Sequence, residues 1–252
     1  MKSAKLPTSG SEPLFSDLVY GTPRGRVNNN CYAWAIDAYR GSGGIKLQPG
    51  NISRQTTNKN ASSCPFIRDR TMDDNRQRGI YAVDPKAMCR KGFYKIMSFI
   101  DPGNDYHWYK QNGSLLYRVS ENETPASIAR DLGVRPSAVV TATRSLDAGD
   151  LVFVRNAGVF SHKQGFATGP LLRDASHQII PDPRYANRDY GDYNYKKFCG
   201  AMCIRNVRTR DMSKTLTKAE SAKLHSLLDK RVSLLHARGK KRGNDRRVRA
   251  KV

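Results

Sequence analysis

The 252-residue sequence has few acidic residues and no long apolar segment. It contains 22 Asp and Glu against 44 Lys and Arg, a formal net charge of +22 at pH 7. Because no apolar run reaches about eighteen residues, no membrane span is expected. Residues 1–15 lack the apolar core of a signal peptide, so secretion is not expected. The charge implies an anionic partner: nucleic acid, an acidic glycan or lipid surface, or acidic neighbours in an assembly.

Cysteine is also scarce. The five cysteines are Cys31, Cys64, Cys89, Cys199 and Cys203. An odd count without a signal sequence favours reduced thiols. Cys199 and Cys203 have no nearby histidine pair that would complete a zinc site, so we interpret them as core residues of a strand, with a disulfide as the alternative. No metal site and no cofactor is expected.

One of these cysteines begins a predicted helix. Three asparagines, residues 28–30, precede Cys31, and strong helix formers follow it until Gly41. Asn29 or Asn30 would cap the first amides. Cys31 would then lie in the first turn, where the macrodipole and free N–H groups stabilise a thiolate and favour a nucleophile. The alternative is a small buried apolar residue.

A predicted antiparallel hairpin supplies a histidine. Residues 93–100 and 105–110 are aromatic and β-branched, and turn residues lie between them. Strand alternation places His107 and Tyr109 on one face and Tyr106 and Trp108 on the other. A later strand, residues 159–163, is predicted to pair with residues 105–110 and to bring His162 opposite His107. Residues 198–204 are expected to form a final buried strand.

Between these strands lies a predicted insert, residues 115–155, with the order β-α-α-β. Thr124-Pro125 opens its first helix and Pro136 its second. The flanking strands would form a hairpin without it, so we expect the insert to be separable from a folded body.

The insert resembles the LysM module, a small domain that generally binds glycans containing N-acetylglucosamine. The matching positions are Tyr117, Val119, Thr124, Ile128, Ala129, Gly133, Val134, Leu146 and Gly149. The sequence departs from the module at Asn122, where glycine is usual, and near Thr143, where an asparagine is absent. The resemblance implies glycan binding through Thr124 and Gly149. The alternative is a LysM-like spacer kept for packing.

Without the insert, the remaining segments follow the order of a papain-like core. The motifs Asn-Asn-Cys-Tyr-Ala-Trp-Ala, Asp-Tyr-His-Trp-Tyr and Phe-Ser-His-Lys resemble the NlpC-type branch of papain-like amidases and peptidases, and uncharacterised bacterial and large-virus proteins of this type. The resemblance covers about residues 20–205 apart from the insert. It implies that Cys31 is the nucleophile, His107 the general base and His162 the residue that orients it, with the Cys31 N–H at the oxyanion. Alternatively, His107 is a hydrogen-bonded core histidine and His162 a surface residue.

The C-terminal segment is strongly basic. A capping box at residues 217–220 predicts a helix to about Arg238, and residues 238–252 hold eight basic residues and one acid. We predict that this tail is disordered alone and orders on an acidic protein surface or nucleic acid. The predicted anion-binding residues are Lys240, Lys241, Arg242, Arg246, Arg247, Arg249 and Lys251.

These observations predict an α+β protein with an antiparallel sheet, and the resemblance implies that its core is papain-like and of the NlpC type. Its parts would be an N-terminal arm (residues 1–27), the core (28–114 and 156–210), the LysM-like insert (115–155), and a C-terminal helix and basic tail (211–252). The first functional hypothesis is a cysteine hydrolase of amide bonds docked on a glycan by the insert. The second is a non-catalytic structural protein, such as a minor capsid or assembly-cementing protein. Both fit a virion or an intracellular assembly.

Overall fold

The computed structural model describes residues 4–41, 46–55, 63–141, 145–165 and 167–207. The predicted C-terminal helix and the seven basic residues of the tail lie outside the described residues. Within the described part of the chain, no helix is long and apolar enough to cross a membrane.

The described residues form a mixed helical and antiparallel structure, which confirms the α+β class. The α-helices are α1 (Pro23–Asn28), α2 (Cys31–Ala35), α3 (Cys64–Asp74) and α4 (Pro125–Asp131), with short 3-10 helices at Arg76–Arg78, Pro136–Ala138 and Pro183–Tyr185. The strands are β1 (Tyr81–Val83), β2 (Phe93–Asp101), β3 (Asp105–Asn112), β4 (Leu115–Arg118), β5 (Val139–Val140), β6 (Leu151–Val154), β7 (Val159–Lys163), β8 (Pro170–Leu171) and β9 (Lys197–Arg205).

The main sheet has six strands in the order β1-β9-β2-β3-β7-β8. The predicted β2–β3 hairpin, the pairing of β3 with β7 and the buried strand at β9 are confirmed. One detail of the predicted register is wrong, because His162 lies opposite Tyr109 rather than His107. The two histidines are therefore diagonal neighbours on one face, a separation that ring side chains can bridge.

The two faces of this sheet carry different cores. Cys31 and the other α2 residues except Trp34 pack with Tyr94, Ile96 and Trp108 on one face. Met97, Phe99, Tyr109 and Phe160 form the core of the other face. The predicted separation of Trp108 from Tyr109 by strand alternation is thus confirmed. His107 lies on the second face, where its ring contacts Tyr109.

The segment predicted as an insert forms a second sheet, in the order β4-β6-β5, beside α4. Thr124 caps α4 as predicted. The second predicted helix is wrong: Pro136 opens a single 3-10 turn, and β5 follows at once. The reason is that Val139 and Val140 are β-branched and pair with Val154 and Phe153 of β6, so burial and strand pairing outweigh the helical start.

The insert shares its core with the body. Its buried side chains pack in one cluster with Phe15 of the arm, Trp34 of α2 and Leu172. Phe15 also forms an isolated parallel β-bridge with Leu115 of β4. The apolar residues of the arm that the sequence predicts as anchors are Leu14, Phe15, Leu18 and Val19. Phe15 and Val19 are buried and Leu18 is half-buried, whereas Leu14 is 39% exposed.

Two helices differ from their predicted bounds. α2 ends at Ala35 rather than near Gly41, because Asp37 adopts a left-handed φ of 56° that a helix cannot continue. Thr71, with Asp73 and Asp74 in the first turn, predicts a short helix over residues 71–79, whereas α3 begins at Cys64. The Ser63 side chain accepts the Phe66 N–H and starts α3 seven residues earlier, counted from Cys64 to Thr71.

The prediction of reduced thiols is wrong for four of the five cysteines. Disulfides join Cys64 to Cys199 and Cys89 to Cys203, and Cys31 is a buried free thiol. The alternative of a Cys199–Cys203 bond is wrong as well. Four residues of strand span about 13 Å, beyond the roughly 7 Å limit for a disulfide. Each cysteine of β9 is therefore bonded to a distant segment.

Candidate active site

Asparagines position the free cysteine. Asn30 is the N-cap of α2: its side-chain oxygen accepts the Ala33 N–H at 3.0 Å, and its amide donates to Leu47 O at 2.8 Å. Asn29 instead accepts the Arg40 N–H and donates to Gly25 O. Of the two predicted caps, Asn30 is therefore correct. These contacts hold Cys31 at the first position of a five-residue helix.

The Cys31 sulfur lies against the main chain of β3. Sγ is 3.8 Å from Tyr106 O, and the Trp108 N–H donates to the sulfur. Tyr106 and Trp108 flank His107 in the sequence. The β3–β7 ladder ends at the Tyr109–His162 pair, so this edge of β3 is open to the thiol. Among the contacts of the described residues, none joins Sγ to His107 or His162.

Burial dominates the protonation of this thiol. Burial and, to a smaller extent, the Asp105 carboxylate raise the pKa of Cys31 to about 12. The Trp108 N–H and the Lys163 ammonium oppose the shift. The predicted lowering of the Cys31 pKa at a helix start is therefore not found. A five-residue helix has a weak dipole, and Cys31 is only 5% exposed.

The structure brings His107 and His162 together. His107 Nε2 lies 2.8 Å from His162 Nδ1, and His162 Nε2 lies 2.9 Å from Arg173 O. A carbonyl oxygen can only accept, so His162 donates from Nε2 and its Nδ1 is an acceptor. His107 then donates from Nε2, and its own Nδ1 keeps the lone pair. We name this chain, from His107 through His162 to Arg173 O, the histidine relay.

Both imidazoles are neutral near pH 7. Burial lowers the pKa of His162 to about 4. Burial, followed by the neighbouring His162, lowers the pKa of His107 well below its usual value. His162 is fully buried, which contradicts the alternative of a surface residue, while His107 has the hydrogen bond expected of a core histidine. The relay is thus arranged to present a neutral base at His107 Nδ1.

Aromatic residues that the sequence interpretation missed hold the His107 ring. Tyr195 stacks on it with ring centroids 4.9 Å apart, and Tyr190 lies 5.9 Å from the His162 ring. The Tyr195 hydroxyl donates to Asp105 at 2.8 Å. Asp105 opens the Asp-Tyr-His-Trp-Tyr motif, whereas Tyr190 and Tyr195 have no role in the sequence interpretation. The close spacing of Tyr190, Tyr193 and Tyr195 in the sequence was the signal that could have pointed to an aromatic contact at the site.

A lysine beside His162 also belongs to this site. Lys163 is fully buried, and its Nζ donates to Arg26 O at 2.9 Å and to Gly165 O. Burial lowers the pKa of Lys163 to about 8, while the Cys31 sulfur opposes that shift. Strand alternation places Lys163 on the same face of the sheet as Cys31, opposite to His162.

The two predicted glycan-binding residues have structural roles in the insert. Thr124 Oγ1 accepts the Ser127 N–H at 3.1 Å, and Ser127 Oγ accepts the Thr124 N–H at 2.8 Å. Gly149 adopts a φ of 93°, which glycine tolerates best, and its N–H donates to Val119 O. Both residues are therefore explained by local structure, and their role in glycan binding stays a prediction.

Comparisons with protein-family profiles, curated proteins and solved structures found no match. Within the described ranges, no group of three or more His, Cys, Asp or Glu side chains is placed to hold a metal ion.

Proposed function

We propose that the protein is a cysteine hydrolase of amide bonds, with Cys31 as nucleophile, His107 as general base and His162 as the residue that orients His107. The observation that carries this proposal is the histidine relay. It leaves a lone pair on His107 Nδ1, and the Cys31 sulfur lies against the main chain of Tyr106 and Trp108, on either side of His107. The sulfur and the His107 ring lie on opposite faces of the sheet, so the proposed proton transfer requires the two groups to rearrange when substrate binds, as catalytic contacts often do.

The depressed pKa of His107 and the raised pKa of Cys31 define the resting state as a neutral thiol and a neutral imidazole. His107 Nδ1 therefore takes the thiol proton as sulfur attacks the amide carbonyl. The Cys31 N–H, at the first position of α2, is a donor for the oxyanion. The imidazolium then protonates the leaving amine. Water, deprotonated by His107, hydrolyses the thioester and releases the acid.

The proposed substrate is an amide attached to a glycan. This part of the proposal rests on the LysM-like motifs and on the position of the insert between the two histidine strands, β3 and β7. The insert would bind the glycan, and the Cys31 site would act on the peptide part of the same polymer.

The test uses purified peptidoglycan as substrate and measures the release of free amino groups. The wild-type protein should release them, whereas Cys31→Ala and His107→Ala should not. His162→Gln should retain partial activity, because the base is present but poorly oriented. The control is His177→Asn, which changes an exposed histidine outside the relay. Equal release by wild type and Cys31→Ala would refute the nucleophile.

A non-catalytic structural protein is the second candidate. It is favoured by three observations: among the described contacts no hydrogen bond joins Cys31 to either histidine, the pKa of the thiol is raised, and the charge is +22. Reaction of folded protein with iodoacetamide separates the two candidates. Alkylation of Cys31 that is faster in wild type than in His107→Ala supports the hydrolase, and equal rates support the structural protein.

A further inference from the structure

Arg173 joins the histidine relay to the insert. Its main-chain oxygen accepts the hydrogen bond from His162 Nε2 at 2.9 Å. Its guanidinium lies between two carboxylates of the insert: Nη2 is 3.6 Å from Glu123 Oε1 and 3.7 Å from Asp131 Oδ2. The two ends of one residue therefore contact the relay and the insert.

The insert holds its side of this contact firmly. Glu123, in the connection from β4 to α4, accepts the Tyr117 hydroxyl at 2.7 Å and the Ser120 N–H at 2.8 Å. Asp131 is the last residue of α4. On the other side, Arg173 Nη1 donates to His177 O at 3.0 Å. The guanidinium thus lies between two elements of the insert and the segment that follows β8.

The Arg173 carbonyl determines which nitrogen of His162 carries the proton. If the carbonyl moved out of reach, His162 Nε2–H would lose its acceptor, and the second tautomer, with the proton on Nδ1, would become populated. His107 Nε2 could then no longer donate to His162, and a proton on His107 Nδ1 would remove the base. The geometry of the relay therefore depends on one main-chain position.

We propose that Arg173 is a positioning residue: the insert holds its guanidinium through Glu123 and Asp131, and this contact keeps its carbonyl on His162 Nε2. The insert then supports the relay as well as any ligand of its own. The consequence for catalysis rests on the proposed hydrolase function, whereas the consequence for the His162 tautomer does not.

The test measures the His162 tautomer by nitrogen-15 NMR of the imidazole at neutral pH. Wild type should show the Nε2–H form alone, and Arg173→Met should show a mixture of both forms. The matched control is Arg130→Met, which removes a guanidinium that contacts the same Asp131 at 3.9 Å but has no contact with His162. It should keep the Nε2–H form. If Arg173→Met does not fold, Glu123→Gln provides the same comparison with a smaller change.

Activity on peptidoglycan is measured on the same variants. Arg173→Met should lose up to about 100-fold in kcat, the cost of misplacing a catalytic group by about 1 Å, with a smaller change in KM. An unchanged His162 tautomer in the variant overturns the positioning role, even if wild type is an active hydrolase. A changed tautomer in a protein without hydrolase activity supports the positioning role and refutes the proposed function.

Discussion

At the residue scale, burial determines the chemistry of the candidate site. Cys31, His107 and Lys163 are all nearly removed from solvent, and burial is the largest cause of each pKa shift. In each case burial shifts the pKa in the direction that favours the neutral form. The resulting site differs from the stabilised Cys31 thiolate expected from the sequence, and its protonation can be tested by pH and by substitution.

The histidines should make the folded state sensitive to acid. The pKa of His162 is lowered to about 4, so its contribution to stability is present above the unfolded pKa of about 6.5 and is lost as pH falls towards 4. The loss from His162 is at most about 3 kcal/mol. Urea unfolding from pH 7 to 4 should show this decline in wild type and a smaller one in His162→Gln. A parallel decline in both proteins would contradict it, and His177→Asn controls for an exposed histidine.

Lys163 should assist the ionisation of Cys31, because its ammonium is the cation that lowers the thiol pKa against burial. Below pH 8, where Lys163 carries its proton, alkylation of Cys31 by iodoacetamide should be slower in Lys163→Met than in wild type. Lys197→Met, at an exposed position of β9, should leave the profile unchanged. If the rate of Cys31 alkylation depended on pH in the same way in all three proteins, the Lys163 ammonium would have no effect on the pKa of the thiol.

At the element scale, β9 depends on both disulfides. They close long segments, with sequence separations of 135 and 114 residues, and bond β9 to α3 and to the segment before β2. Closing loops of that length removes much conformational entropy from the unfolded chain and so stabilises the folded state. The bonded strand in turn supports β2, its neighbour in the sheet.

Replacing one pair, in Cys64→Ser with Cys199→Ser, should therefore lower the free energy of unfolding by about 2–5 kcal/mol. Urea denaturation without reductant measures the loss. The same experiment with excess dithiothreitol should reduce the difference between wild type and variant. A wild-type protein whose stability is indifferent to dithiothreitol would contradict the role of the disulfides.

The structure predicts that the body of the protein does not fold without the insert. Deleting residues 115–155 would remove the side chains that cover Phe15, Trp34 and Leu172, and exposing such apolar surface costs roughly 25 cal/mol per Å². We expect the deletion variant to lose cooperative thermal unfolding by circular dichroism. The control replaces the exposed Asp147 by Ala within an intact insert. Cooperative unfolding of the deletion variant would restore the separability expected from the sequence.

At the scale of the whole molecule, the positive charge predicts binding to polyanions. Residues 240–252 contribute seven of the 44 basic residues. Their removal should reduce the slope of log K against log salt by roughly one for each phosphate that they neutralise. Fluorescence titration with single-stranded DNA should show weaker, less salt-dependent binding after truncation at residue 239. Equal slopes would place the anion-binding surface elsewhere on the chain.

Several elements follow from local chemistry that can be read along the chain. Alternation of aromatic and β-branched residues predicted the β2–β3 hairpin and its two faces, and Thr124-Pro125 predicted the start of α4. The order of Cys31, His107 and His162 also pointed to the three segments that the structure places around the start of β3. These features depend on side-chain period and capping, which a short segment contains in full.

Other features need distant segments and became apparent only in the folded chain. Tertiary packing bonded Cys64 to Cys199 and Cys89 to Cys203, and it packed the insert on Trp34. It also placed the Arg173 carbonyl on His162. Burial then reversed the expected pKa shift of Cys31, because the cost of a buried charge depends on what surrounds it in space. Local sequence does not contain that information, since the groups around a buried side chain come from segments far apart along the chain.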